Sequence, residues 1–174
     1  FFLLIFVYSV AAAPIFLIIN MYYHEIGAPN KLIGTAFAIQ AFSEIPFFFY
    51  GKRLVMRFGA KRIFLFTMLA TAIRMLGYGF TSVPHIAIFI GVIHGISIGL
   101  FFVSMVEFVH NIVPAEIRST GQSLIYTFYA GGVCVGNFLT GFFDKYFSVR
   151  SMMILNAIII FVLISIVLIR KQIL

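Results

Sequence analysis

Charged side chains and cysteine are scarce in this sequence. Asp, Glu, Lys and Arg make up only 10% of its 174 residues, whereas hydrophobic residues make up 63%. Soluble domains average about 25% charged and about 45–50% apolar residues. With a mean hydropathy of +1.13, the chain is excluded from the soluble class. The composition predicts an integral membrane protein that contacts the lipid bilayer.

Metal and disulfide chemistry also lack the necessary residues. The one cysteine, Cys134, lies within an apolar run and is expected to be a packing residue. A single thiol excludes an internal disulfide. The four histidines are far apart in sequence, and no Cys or acidic cluster has the spacing of metal ligands. We therefore expect neither a metal nor another cofactor.

Motifs for nucleotide use and hydrolysis are missing as well. The sequence contains no Gly-x-x-x-x-Gly-Lys-Ser/Thr loop, so direct use of ATP by this chain is unsupported. It also contains no His-Glu-x-x-His motif of the kind found in metalloproteases. His94 and Ser97 lie three positions apart, but a serine nucleophile also needs an orienting group and an oxyanion hole. Neither is evident, so we predict that the chain is not an enzyme.

The net charge of +7 comes from basic residues in short stretches between apolar runs. This distribution argues against nucleic-acid binding and indicates membrane topology. Eight basic residues fall on one side of the predicted membrane and three on the other: Lys52, Arg53, Arg57, Lys61, Arg62, Arg118, Arg170 and Lys171 against Lys31, Lys145 and Arg150. Cytoplasmic loops carry the excess of Lys and Arg. We predict a multi-pass protein of the cell membrane with both ends of this segment in the cytoplasm.

Six apolar segments of 18 or more residues follow one another at about 1–23, 33–50, 63–80, 85–109, 119–142 and 151–169. Such lengths suffice for a helix to cross the hydrocarbon core of a bilayer. Short connections imply antiparallel neighbours. We predict an all-α fold in which residues 1–174 form a single six-helix transmembrane domain. Because Phe1 stands directly inside the first segment, we expect the chain to begin partway through a longer protein.

Small residues recur at every fourth position in two segments, at Gly91, Gly95 and Gly99 and at Gly132, Gly136 and Thr140. Each series predicts a helix face that lets a neighbouring backbone come close. His94 lies beside the first stripe and near the predicted midplane, where a polar group costs about 2.5–3.5 kcal/mol or more. It either faces a functional cavity or is a neutral histidine that bonds to a neighbouring helix.

Further polar residues lie inside the apolar segments. Gln40 and Glu44 share a face of the second helix, just before Pro46. Like Pro14 in the first helix, Pro46 predicts a bend. Arg74, in the third helix, either extends its side chain to the outer interface or acts as a fixed positive charge in a cavity.

Four more polar positions follow in the later segments. Glu107 is expected at the cytoplasmic interface of the fourth helix. Gln122, Tyr126 and Tyr129 form a polar and aromatic stripe on the fifth helix. The tyrosine rings either stack on a polar organic solute or serve as packing.

Four stretches resemble the C-terminal half of a major facilitator superfamily transporter. Residues 54–62 resemble the basic loop between the second and third helices of each half, although Lys52 and Met56 replace its first glycine and its acid. Residues 73–82 and 93–94 resemble the ninth and tenth helices of lactose permease, and 114–122 resemble the following corner. Residues 43–46 are similar to a signature of phenylpropionate- and nucleoside-type permeases.

This resemblance implies six helices of a twelve-helix fold in the lactose, nucleoside and phenylpropionate permease branch of proton symporters. The implied partners are a small solute, a proton, and a missing N-terminal half or a second copy of this half. The resemblance implies Glu44, His94 and Arg74 for both proton coupling and solute binding, and Arg57, Gly59, Lys61 and Arg62 for the cytoplasmic loop motif. From their positions on the helix faces described above, Gln40, Tyr126 and Tyr129 complete the predicted solute-binding residues.

One departure from lactose permease concerns its proton-linked glutamate, because this chain has Ser97 at that place. The function implied is secondary active transport of a sugar, nucleoside or aromatic acid by alternating access. Facilitated diffusion and drug or sugar efflux remain alternatives within transport. A non-transporting six-helix membrane scaffold is the alternative from another class.

Overall fold

The computed structural model describes residues 1–169, which form an all-helical bundle. Its helices are α1 Phe2–Ala12, α2 Pro14–Leu17, α3 Ile19–Glu25, α4 Asn30–Phe58, α5 Ala60–Phe80, α6 Pro84–Gly91, α7 Leu100–Ile112, α8 Arg118–Phe143 and α9 Val149–Ile169. A π-helical turn at Gly95–Gly99 and a 3-10 turn at Ala115–Ile117 complete the elements of this part. Arg170 and Lys171, counted above on the predicted cytoplasmic side, lie outside it. The predicted all-α class is confirmed.

Four stretches of the described chain are long and apolar enough to cross a membrane: Asn30–Phe58, Ala60–Phe80, Pro84–Ile112 and Val149–Ile169. The bent pair Phe2–Leu17 and Ile19–Glu25 brings the number to five if it counts as one span. Helix α8 has 26 residues, enough to cross a core of about 30 Å. Its polar side chains lower its mean hydropathy, and it is not among the candidate spans. Four or five candidate spans are therefore found, and six stays a prediction.

The first segment bends as predicted, with an angle of 41° between Phe2–Leu17 and Ile19–Glu25. Pro14 separates α1 from α2, because proline has no N–H to donate to the carbonyl of Val10. The bend itself falls at Ile18, one turn further on. By contrast, α4 continues from Asn30 to Phe58 without interruption at Pro46.

The basic stretch 51–62 is not the loop that its charges suggested. Helix α4 reaches Phe58, α5 begins at Ala60, and Gly59 alone separates them with a φ of 85°. Long basic side chains are good helix formers and can extend toward water. The basic residues therefore lie on the ends of α4 and α5, and the glycine alone marks the end of the helix.

Both stripes of small residues lie against neighbouring backbone, as predicted. A Cβ atom on Gly132 or Gly136 would stand 2.4 Å from the carbonyl oxygen of Phe6 or Val10, respectively. A Cβ on Gly95 would stand 1.9 Å from the carbonyl oxygen of Ser43. Helix α1 is thus packed directly on α8, and α4 on the turn after α6. The second contact positions the polar residues described next.

Candidate functional site

The centre of the site is an irregular turn in the middle of the Pro84–Ile112 stretch. Helix α6 ends at Gly91, and a π-helical turn follows His94 from Gly95 to Gly99. The predicted span at 85–109 thus lies within one candidate span, Pro84–Ile112, whose helix is irregular at this point. Glycine lowers the cost of leaving α-helical geometry, and the N–H of Gly95 bonds to the Ser43 hydroxyl at 2.9 Å. Such π turns are frequent at functional sites.

Three ionisable side chains from three helical stretches meet at this turn. Nη1 of Arg74 lies 2.5 Å from Nδ1 of His94, and Nε2 of His94 lies 2.7 Å from Oε1 of Glu44. The same Nη1 donates a hydrogen bond of 2.8 Å to the hydroxyl of Ser97. The predicted proton-coupling residues are thus brought together in the order Arg74, His94, Glu44. We call these three residues the relay.

The geometry of the relay fixes the tautomer of His94. A guanidinium has only donors, so Nδ1 of His94 must accept the hydrogen bond from Arg74. A neutral imidazole then carries its proton on Nε2 and donates it to Glu44. A second proton on His94 would place two N–H groups against each other and break the contact with Arg74. Further protonation of the relay is therefore directed to Glu44.

Arg74 is buried, with only 2% of its surface exposed. Its guanidinium is turned toward His94 and Ser97. Of the two alternatives given for Arg74, this arrangement matches a fixed positive charge inside the bundle. A buried cation needs a compensating charge and hydrogen bonds. Glu44 supplies the negative charge through His94, and Ser97 supplies an additional acceptor.

A cavity of about 220 Å³ lies beside the relay. Its polar lining consists of Gln40, Glu44, Arg74 and His94, and its apolar lining consists of Ile15, Phe16, Ile19, Phe37 and Ala41. Four of the six predicted solute-binding residues therefore border one space. Apolar walls with a few convergent polar groups are typical of small-molecule sites.

The other two predicted solute residues lie away from this cavity. The ring of Tyr126 stacks on Phe102 at 6.3 Å between centroids. The ring of Tyr129 lies 5.7 Å from Phe101 and 5.4 Å from Phe102. Gln122 from the same stripe donates to the carbonyl of Val106 at 3.0 Å. In this conformation the stripe on α8 makes packing contacts with α7.

The remaining predicted residues lie near the ends of the helices that carry them. Nζ of Lys52 lies 3.9 Å from Oε1 of Glu107, and the location of Glu107 at the membrane interface stays a prediction. Arg57 places its guanidinium 5.3 Å from the ring centroid of Phe58. Lys61 and Arg62 lie in the first turn of α5. None of these residues belongs to the relay.

The role of Ser97 was not predicted from sequence. Residues 95–99 have the spacing Gly-x-Ser-x-Gly, which in hydrolases forms a turn between a strand and a helix. Here the stretch is helical, and Ser97 is fully buried with its hydroxyl against Arg74. The signal for its role was its position one turn after His94, on the face that meets the third predicted helix.

These features define a polytopic helical membrane protein with a polar cavity between its helices. Residues 1–155 match the profile of the MFS_1 like family. The chain belongs to this family, and the resemblance to one half of a major facilitator transporter is confirmed.

Individual relatives agree with this assignment. The chain is 33% identical over 101 residues to the maltose permease of Geobacillus stearothermophilus. The matched region covers 58% of this chain and 26% of that protein. It is 28% identical over 133 residues to YegT of Escherichia coli K12, a candidate nucleoside transporter. This second matched region covers 72% of this chain and 30% of that protein. These relatives are transporters and not enzymes.

The fold also matches a solved structure. A point mutant of the nucleoside transporter NupG superposes with a TM-score of 0.83 over 97% of this chain and 47% of that one. The sequence identity is 16%, so this likeness establishes the fold alone. The chain spans less than half the length of each of these relatives.

Proposed function

We propose that this chain is the C-terminal half of a transporter that moves a small organic solute across the cell membrane by alternating access, coupled to protons. The observation that carries the proposal is the relay of Arg74, His94 and Glu44 in the wall of a cavity. Ionisable groups within a membrane normally serve a function of this kind. The other half of the transporter would be six preceding helices or a second copy of this half.

In this proposal α8 is the sixth span, because its 26 residues are long enough and its polar stripe belongs beside a solute path. An even number of spans places both ends of the segment on one side of the membrane. The excess of Lys and Arg assigns that side to the cytoplasm.

Proton coupling would use Glu44 as the group that gains and loses the proton. The carboxylate accepts the N–H of His94 at 2.7 Å and borders the cavity, so a proton can reach it from water. Protonation would remove its negative charge and weaken the link that compensates Arg74. Rocking of the two halves could then move Glu44 away from His94 in one state and restore the contact in the other.

The solute class follows from the cavity walls and the relatives. Phe16 and Phe37 offer aromatic surface for a ring, while Gln40 and the relay offer hydrogen bonds. The named relatives carry maltose or are assigned to nucleosides. We therefore propose a sugar, a nucleoside or an aromatic acid as the passenger. Tyr126 and Tyr129 would contact it only after α8 and α7 have separated.

The experiment is uptake by the full-length protein in liposomes, with radiolabelled maltose, adenosine and phenylpropionate and an imposed inward proton gradient. Glu44→Gln keeps an acceptor for His94 but cannot titrate, so gradient-driven accumulation should be lost while exchange of solute persists. Glu107→Gln, outside the cavity, should accumulate like the wild type. Undiminished accumulation in both Glu44→Gln and His94→Ala would show that the relay does not couple transport.

The same experiment separates the alternatives. A solute concentration inside the liposomes that never exceeds the concentration outside would indicate facilitated diffusion. Extrusion of unrelated apolar compounds would indicate efflux. A scaffold would transport nothing. In that case a cysteine at Ala41, which lines the cavity, should resist a water-soluble thiol reagent in a Cys134→Ser background. A transporter should be labelled there, with fully buried Ala72→Cys as the unreactive control.

A further inference from the structure

A groove separate from the proposed solute site lies between α4 and α5, close to the junction of these helices at Gly59. Its volume is about 350 Å³. Apart from Arg62, its lining is hydrophobic and consists of Phe47, Leu54, Phe58, Ile63, Phe66 and Leu100. We call it the corner groove. The relay and its cavity share none of these residues, so the groove needs an explanation of its own.

The corner groove is closed on one side and open on the other. Ile63 and Leu100 at its floor are 6% and 2% exposed, whereas Phe58 and Phe66 at its rim are 44% and 49% exposed. Along α4 the lining extends from Phe47 to Phe58, which is about 16 Å at 1.5 Å per residue. This length is about half of the roughly 30 Å hydrocarbon core, and therefore about the depth of one leaflet.

The open side of the corner groove faces the bilayer. Both helices that border it lie in candidate membrane spans, Asn30–Phe58 and Ala60–Phe80. An unfilled groove loses van der Waals contacts, and inside a membrane an acyl chain can supply them. Apolar contact alone would not select a particular lipid, because lipid tails are as apolar as the groove itself. Selection requires a polar feature.

The basic end of the corner groove supplies that feature. Residues 52–62 include five basic and no acidic residues. Lys52 is paired with Glu107, whereas no acidic side chain within residues 1–169 pairs with the exposed Arg62. A guanidinium presents a planar fork of donors that matches a phosphate group. A molecule with a hydrocarbon chain and a phosphate would satisfy both parts of the groove.

We propose that the corner groove binds an anionic phospholipid, with one acyl chain between α4 and α5 and the phosphate at Arg62. Clusters of Lys and Arg beside a membrane span attract anionic lipids. The proposed orientation places this cluster at the cytoplasmic leaflet, where such lipids are found. The site itself depends neither on that orientation nor on transport of a solute.

The headgroup is tested by lipid binding to the full-length protein in mixed micelles, measured by native mass spectrometry. The probes are dioleoyl phosphatidylglycerol, which is anionic, and dioleoyl phosphatidylcholine, which has no net charge. The wild type should bind phosphatidylglycerol more tightly. Arg62→Gln should reduce that preference about fivefold, the factor that corresponds to one basic residue near an anionic lipid.

Arg53→Gln is the matched control for the headgroup. It removes the same charge from the same basic stretch, but Arg53 does not line the groove and its guanidinium lies 6.0 Å from the ring centroid of Tyr50. It should therefore retain most of the preference. Equal losses in Arg53→Gln and Arg62→Gln, or no preference in the wild type, would overturn the proposal.

The acyl chain is tested by chain length. Dihexanoyl phosphatidylglycerol should bind more weakly than the dioleoyl lipid, and glycerol phosphate, which has the charge without the chains, should not displace the lipid at equal concentration. Displacement by glycerol phosphate would identify a site for free anions and overturn the lipid assignment.

A filled groove gives an independent test of the acyl chain. Leu54→Trp places a larger side chain in the groove and should weaken binding of dioleoyl phosphatidylglycerol. Leu69→Trp, on α5 but outside the groove and 36% exposed, should not. Undiminished binding in Leu54→Trp would show that another segment, such as part of the missing half, covers the groove. If the melting temperature shows that Leu54→Trp is unfolded, the comparison of chain lengths decides the acyl chain.

Discussion

The backbone nitrogen of Gly95 donates a hydrogen bond of 2.9 Å to the hydroxyl of Ser43. Glu44 follows Ser43 in the chain and His94 precedes Gly95, so this one contact brings the two ionisable residues to the same level. The distance of 2.7 Å between Glu44 and His94 therefore depends on the close approach of two backbones. Glycine at position 95 is what permits that approach.

The first prediction concerns Gly95→Ala. The added methyl would stand 1.9 Å from the carbonyl oxygen of Ser43, and backbone cannot move aside as a flexible side chain can. We expect a loss of stability of about 1–3 kcal/mol together with loss of gradient-driven uptake. Thermal unfolding of the solubilised full-length protein measures the loss of stability. Gly34→Ala is the control, because a methyl there meets nothing within 4 Å. Equal melting temperatures would contradict the packing described here.

Two adjacent glycines on α8 give a sharper comparison. A methyl on Gly132 would meet the carbonyl oxygen of Phe6 at 2.4 Å, whereas one on Gly131 would meet only the ring of Phe6 at 3.6 Å. We expect Gly132→Ala to lower the melting temperature and Gly131→Ala to leave it unchanged or raise it, because alanine favours helix. If both variants melted alike, α1 would not lie on this face of α8.

Much of the architecture could be predicted because membrane-crossing helices leave simple signals. Apolar length locates the helices, and small residues at every fourth position locate the seams. Burial of an ion inside lipid restricts Glu44, Arg74 and His94 to the interior. The sequence could therefore predict that these three residues lie near one another, but not the order in which they contact each other.

The features that sequence missed depend on local hydrogen bonds between helices. The π turn at Gly95–Gly99 arises where Ser43 bonds the backbone, and no periodicity of residues 85–109 indicates this. The hydroxyl of Tyr78 packs beside Gly91, on another helix, where an added Cβ atom would lie 3.4 Å from it, and the sequence of neither helix indicates this contact. For the same reason the stripe of Tyr126 and Tyr129 does not itself reveal whether it faces a solute or α7.

A third prediction concerns the junction at Gly59. Its φ of 85° and ψ of 142° fall in a region that is essentially restricted to glycine. Gly59→Ala has ample space, since nothing lies within 4 Å of the added methyl, so any effect reports backbone strain alone. We expect a loss of about 1–3 kcal/mol in chemical unfolding. Gly141→Ala, equally uncrowded and helical, should show no loss.

A fourth prediction uses a buried hydrogen bond between α1 and α5. The hydroxyl of Thr71 donates to the carbonyl of Thr67 at 2.9 Å, so the hydroxyl of Tyr8, 2.7 Å away, must be the donor to Thr71. Tyr8→Phe should cost about 0.5–1.5 kcal/mol, and less when Thr71 is already valine. A double-mutant cycle of unfolding free energies measures this coupling. Additive losses would show that the two hydroxyls do not interact.

The last prediction concerns how Arg74 supports the relay. One nitrogen of its guanidinium contacts both His94 at 2.5 Å and Ser97 at 2.8 Å. Lysine keeps the charge but lacks the rigid fork of donors, so Arg74→Lys should lose at least one of these bonds and allow His94 to rotate. We expect about tenfold weaker accumulation under a proton gradient, corresponding to about 1.4 kcal/mol. Ser97→Ala removes only the second bond and should retain most accumulation. If Arg74→Lys behaves like Ser97→Ala, the charge of Arg74 matters and its geometry does not, because fixing the His94 tautomer would then be unnecessary for coupling.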